Sequence, residues 1–242
     1  MCTVTFIPGR ERIFFTSSRD ESIFLGLALH PAVYAYKTGD LLFPKDSHAG
    51  GSWIALHENG NAVVLLNGAF INHVAKPPYK KSRGLILLEL ADSASPVEFF
   101  QKINLHDIEP FTAIIWDDER LFESRWDAEH KYLKHLNASL PHIWLSATLY
   151  GDDVVGKRKK WFEKWLSKHP FPQMEDILFF HQFTGDGDEQ NGLEMNRDGI
   201  VFTVSITGME LNHTGGTMHY IDMRQNDIFK KDLQFSKAIF LR

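Results

Sequence analysis

Apolar and polar positions alternate in short runs at both ends of the chain and gather into helical stripes between them. Cys2 to Phe6 and Ile13 to Thr16 are β-branched and aromatic, and the Ile7–Arg12 stretch between them carries Pro and Gly, so a strand pair is expected there. A second pair is expected from Ser52–Leu56 and Asn61–Asn67, joined by His-Glu-Asn-Gly, a hairpin turn signal. Phe111–Trp126 reads as strand, tight acidic turn, strand. Near the far end, Gly199–Gly208 and Thr217–Met223 are expected to pair across Met209–Gly216.

Helical signals fill the middle. Ser95-Pro96 caps a short helix over Val97–Ile103, with Pro in the favoured first position. Asp152–His169 is the clearest amphipathic helix: Trp161, Phe162 and Trp165 recur three to four residues apart, acids open it and bases follow. That stripe reads as core, and Lys157-Arg158-Lys159-Lys160 reads as the solvated face. Pro172–Phe183 is a further helix. With no internal repeat, low-complexity tract or linker, a single domain over residues 1–242 is expected. Strands at both ends enclosing helices suit a layered α+β architecture.

Composition narrows the function classes. A chain of 242 residues that is 43% hydrophobic and 24% charged is ordinary for a globular protein, and 13% aromatic residues imply a dense core or an apolar pocket. A net charge of -5 argues against nucleic acid as a partner. Neither a secretory leader nor a membrane span is legible, so a cytoplasmic, reduced protein is expected. The one cysteine excludes an internal disulfide and cysteine-rich metal sites. No cofactor or metal is expected. Asp186 and Asp188 superficially suggest a calcium loop, but Asn191 and Arg197 stand where that loop needs Gly and Glu. His130 and His135 are five apart, the wrong spacing for zinc on one helical face.

That cysteine is the second residue. Removal of Met1 would leave Cys2 carrying a thiol and a free α-amine, whose pKa near ~8 lets it accept a proton close to neutrality. Nucleophile and base would then share one residue. The bland reading of Cys2 is a small hydrophobe on an opening strand. One hairpin later, Arg19, Asp20 and Glu21 fall where charges could meet that residue: Asp20 to hold the ammonium, Arg19 to lower the thiol pKa.

Met-Cys, Ser-Arg-Asp-Glu (Ser18–Glu21) and Gly-Gly-Ser-Trp (Gly50–Trp53), in this order, resemble the NRDE-motif family, which includes the transport and Golgi organisation protein 2 homologues. Asn67 in Leu-Leu-Asn-Gly-Ala-Phe, Ser82–Gly84 and Trp144–Leu149 fit further family segments. That family is similar to N-terminal nucleophile hydrolases of the choloylglycine hydrolase and penicillin V acylase type. The resemblance implies a four-layer αββα sandwich and hydrolysis of a small linear amide or acyl-amide. It also implies Cys2 as nucleophile, Arg19 and Asp20 as the charged pair beside it, and Asn67 as oxyanion donor. Ser18 and Ser52 stand where the family has Asn and Thr. Ala147 stands where a second amide is expected, and Arg197 is the nearest candidate for a late-strand arginine. The alternative is a non-catalytic binding or trafficking protein that holds an apolar ligand in the same pocket. Either reading is compatible with a homo-oligomer.

Overall fold

The computed structural model describes residues 3–24 and 26–239. In chain order, the elements begin with β1 (Thr3–Pro8), β2 (Arg12–Ser22), β3 (Ala28–Ala35), β4 (Asp40–Asp46), β5 (Ile54–His57) and β6 (Ala62–Asn67). Helices α1 (Arg83–Ala91) and α2 (Pro96–Lys102) follow, then β7 (Phe111–Asp117), β8 (Arg120–Trp126), β9 (Lys131–Leu136) and β10 (His142–Leu145). The last stretch holds α3 (Asp152–Leu166), α4 (Met174–Phe183), β11 (Asn196–Arg197), β12 (Val201–Asn212), β13 (Gly215–Asp222) and β14 (Asp227–Gln234).

Among the described residues these strands form two antiparallel seven-stranded sheets. One runs β10-β1-β2-β12-β13-β14 with β11 on β12, and the other runs β3 to β9 in sequence order. The period-two alternation of strands decides what each face meets. On β1 and β2, Val4, Phe6 and Phe15 point into the space between the sheets, where the Phe6 ring lies 6.0 Å from that of Trp116 on β7. Their neighbours Ile7 and Phe14 point the other way, against Phe162 and Trp165 of α3 and Met174, Ile177 and Phe180 of α4. Helices α1 and α2 cover the outer face of the other sheet, with Ile86, Leu87, Leu90 and Phe100 buried there. The layers are therefore helix, sheet, sheet, helix, the αββα sandwich expected. Each fully buried Phe in these layers contributes about 2–3 kcal/mol of transfer free energy.

Several elements follow the sequence pattern closely, and others depart from it. The hairpins β1–β2 and β7–β8 and helices α2, α3 and α4 occupy the expected segments, although α3 stops at Leu166. The pairing of β12 with β13 also holds, but the expected connection is itself mostly strand. Met209 and Leu211 are fully buried around Glu210, which is partly buried and paired with Arg12, and only His213 and Thr214 turn the corner. Helix α1 and strands β3, β4, β9, β10 and β14 had no counterpart in the expected elements. No helix among the described residues is long and apolar enough to cross a membrane.

Candidate active site

Strand β2 presents its charged pair to two different compartments. Arg19 and Asp20 are both buried, at 5% and 3% exposure, yet adjacent residues of a strand point to opposite faces. Arg19 turns toward the second sheet. Its guanidinium carbon lies 4.7 Å above the Trp53 ring, and its Nη2 donates to Asp46 Oδ2 at 3.1 Å, with Glu21 Oε1 at 3.8 Å. Asp20 turns toward the helix layer, where it accepts from the Tyr150 hydroxyl at 2.7 Å and the Thr203 hydroxyl at 2.6 Å. The β12 strand opposite carries a register shift between Thr203 and Ser205, the residues that face Asp20 and Arg19.

On the Arg19 side lies a cavity of about 520 Å³. Asn67, the last residue of β6, lines it together with Arg19, Trp53, Tyr79 and the start of α1. The expected pair Arg19 and Asn67 is thus brought together, whereas Asp20 is not part of the lining. Three cations (Arg19, Lys81, Arg83) and three acids (Glu21, Asp46, Glu109) give the cavity a charged wall. Burial pulls the Arg83 guanidinium's pKa down, and Glu109 opposes it from 3.1 Å. The Asn67 backbone is fixed from three directions. Its carbonyl accepts from Ser146 Oγ at 2.9 Å, its strand pairs with Phe111, and Gly68 behind it takes a φ of +78°, the left-handed region that favours glycine.

The glycines of Gly-Gly-Ser-Trp and Ser-Arg-Gly have a joint explanation. A Cβ on Gly51 would lie 2.5 Å from the carbonyl carbon of Gly84, and one on Gly84 would lie 2.8 Å from the Ser52 carbonyl oxygen. The two segments cross backbone to backbone, which brings the start of α1 to the cavity. Ser82 caps that helix by accepting from Leu85 N at 3.3 Å, and the Ser52 hydroxyl donates to the Pro44 carbonyl at 2.7 Å. Ser52 and Ser82 are therefore framework.

Cys2 lies outside the described residues; the described chain begins at Thr3, which pairs with Ser18 on β2 and Leu145 on β10. Ser18 points away from the cavity and lies 2.8 Å from His181 Nδ1, while Thr5 lies 2.9 Å from Nε2 of the same ring. His181 is fully buried, and its pKa is pushed down to about 3, first by burial and then by the charge of Arg158. Ala147 presents no amide, and Arg197 donates to the Leu149 carbonyl at 3.0 Å and flanks the Tyr150 ring at 5.5 Å.

Arg158 corrects the expectation that Lys157–Lys160 form a solvated face. It is 0% exposed, and it donates to Thr3 Oγ1 and the Gly192 carbonyl, both at 2.6 Å. The sequence reading also missed Tyr150 and Thr203, the partners of Asp20. A signal for Arg158 did exist: Val154, Arg158, Phe162 and Trp165, the buried residues of α3, recur at helical spacing.

A profile of the Transport and Golgi organisation 2 family matches residues 1–185. That match ends before β11, so Thr203 falls outside it. No curated protein matches the sequence. Among solved structures, a mutant of the conjugated bile acid hydrolase from Clostridium perfringens superposes with a TM-score of 0.55 at 13% identity, covering 100% of this chain and 99% of the other. The Caenorhabditis elegans ortholog of N-acylethanolamine-hydrolyzing acid amidase superposes at 0.59 and 12% identity, covering 86% of this chain and 92% of the other. These likenesses establish a common fold.

Proposed function

The chain belongs to the Transport and Golgi organisation 2 family, and from that premise we propose that it is an N-terminal nucleophile hydrolase-like protein acting on a small linear amide. The reading takes residues 1–242 as one domain. The observation that carries it is the cavity that gathers Arg19 and Asn67, with Arg19 one residue along β2 from Ser18, the partner of Thr3 at the start of the described chain.

In this reading Met1 is removed and the Cys2 sulfur attacks the amide carbonyl carbon while its own α-amine takes the thiol proton. The carbonyl oxygen becomes an oxyanion, and the Asn67 amide donates to it, an interaction worth about 3 kcal/mol in comparable sites. Collapse breaks the C–N bond, and the α-ammonium returns the proton to the departing amine. Water then attacks the thioester, with the α-amine again accepting a proton, and frees the carboxylic acid and the thiol. Arg19 stabilises negative charge at the cavity wall, and Asp20 anchors the ammonium side. Ala147 leaves Asn67 as the side-chain amide donor in this scheme.

The charged wall favours a polar amide over the carrier of apolar ligands. Intact mass before and after limiting iodoacetamide at neutral pH tests the premise, since Cys2 is the single thiol. Loss of Met1 and rapid single labelling are expected. Amine release from a panel of N-acyl amides, abolished in Cys2→Ala, then tests the activity. Retained Met1 or an inert thiol refutes the hydrolase.

A further inference from the structure

We infer that the outer surface of helices α3 and α4 is a docking face for an anionic phospholipid bilayer. Exposed phenylalanine rings of α4 and the α3–α4 turn enter the interface, and lysines of α3 meet the headgroups. The inference does not depend on the hydrolase reading above.

The two helices form one surface. Phe162 and Trp165 of α3 meet Phe180 of α4 at ring separations of 5.6 and 4.9 Å, and all three are buried with Ile7 and Phe14 of the sheet beneath. The sides turned outward should then be polar, and on α4 they are not. Phe179 and Phe183, one turn apart, are 62% and 60% exposed, and their ring centroids lie 4.6 Å apart. Phe171, in the turn between the helices, is 68% exposed. One exposed apolar side chain is ordinary, but three large rings on one surface mark a face that something covers.

The charges around the rings identify the occupant. Lys160 and Lys164 stand one turn apart on α3, rotated away from the buried Phe162, and Lys168 follows the helix. All three are exposed and have no carboxylate partner among the described residues, whereas Lys157 is paired with Asp186 at 3.3 Å. Arg10, in the β1–β2 turn, sets its guanidinium carbon 5.1 Å from the Phe171 ring centroid, so a cation and a ring are presented together. The acids of α4 are engaged: Glu175 lies 3.6 Å from Lys230 Nζ, and Asp176 accepts from Gln173 N at 2.9 Å. Glu163 and Glu11, next in sequence to Lys164 and Arg10, offset part of the positive charge, and Asp152 and Asp153 stand at the opposite end of α3. A second copy would bring the same free lysines into the contact with few free acids to receive them. Free cations interleaved with exposed rings suit an anionic bilayer, where both kinds of group gain. The net charge of -5 belongs to the whole chain, and a bilayer's field falls off within about 10 Å at 0.1 M salt, so the local surface decides.

Co-sedimentation with vesicles tests the face. The wild type, a Phe179→Ser/Phe183→Ser variant and a Lys160→Glu/Lys164→Glu variant are spun with vesicles of phosphatidylcholine alone and of phosphatidylcholine mixed with phosphatidylserine. The four substituted residues are exposed, and thermal melts establish that the variants fold. The wild type should sediment with the mixed vesicles and bind phosphatidylcholine alone about tenfold more weakly. Each variant should lower partitioning onto the mixed vesicles about tenfold, and added salt should weaken the wild type more than the charge-reversed protein. If the double phenylalanine variant does not fold, Phe171→Ser carries the same direction of change. A wild type that stays in the supernatant, that binds both vesicles equally, or that the folded variants match overturns the inference. So does a concentration-dependent dimer in sedimentation velocity that the phenylalanine variant breaks, since the rings would then belong to a second copy.

Discussion

Mild acid should destabilise this protein through His181 before it titrates most of the carboxylates. The ring is fully buried between the hydroxyls of Thr5 and Ser18, and its folded-state pKa of about 3 lies below the ordinary 6.5. Below pH 6.5 the unfolded chain therefore binds a proton that the folded protein refuses. Stability from this group is complete above the unfolded value and falls as the pH drops toward the folded one. At pH 5, about 1.5 units below the unfolded value, the loss is about 2 kcal/mol. Urea midpoints at pH 7 and pH 5 measure it in the wild type and in His181→Gln. The variant gives up buried hydrogen bonds and starts about 1–2 kcal/mol less stable at pH 7. Between the two pH values it should then lose about 2 kcal/mol less than the wild type. Burial also lowers the pKa of His57 and His219, but both residues are present in both proteins and cancel in the comparison. Equal acid losses would refute the assignment of a neutral, proton-refusing His181.

Two substitutions address the cavity. Asn67→Ala should fold normally, because Ser146 and Phe111 hold the backbone at that position. It should also lower kcat of the proposed amidase about 10²–10³-fold, and a rate within twofold of wild type would remove Asn67 from the chemistry. Gly51→Ala would set a methyl 2.5 Å from the Gly84 carbonyl carbon and 2.7 Å from Leu85 N. It should cost about 1–3 kcal/mol, read as a lower Tm, and an unchanged Tm would contradict the backbone crossing.

What the sequence made legible follows from how sharply each residue's pattern reports its surroundings. The β1–β2 hairpin and α3 were readable because turn residues or a helical stripe mark them. Helix α1 was not, since Ile86, Leu87, Leu88, Leu90 and Ala91 are all buried and wrap most of the helix, and the single Glu89 among them is too narrow a polar face to set its period. Strands β9 and β14 are mostly exposed and rich in charge, so they lack the apolar alternation that betrays a half-buried strand. Arg19 and Asn67 could be singled out as candidates because short motifs surround them. Tyr150, Thr203 and Arg158 act on β1 and β2 from more than a hundred residues away, and pairing across that distance leaves no local mark.

The two sheets also differ in how they can come into being. The sheet of β3 to β9 draws on one continuous stretch, from Ala28 to Leu136, and every strand pairs with its neighbour in sequence. It can zip up hairpin by hairpin, each step closing a short loop except the one from β6 to β7, whose connection carries α1 and α2. The other sheet waits for both ends of the chain, and the Thr203–Asp20 bond closes a separation of 183 residues. Until β12 arrives, one edge of β2 is an open template for the wrong partner, and Asp20 lacks Thr203. The candidate site is therefore completed late in folding, and a chain cut before Val201 would keep its signature motifs without the strand that seats them.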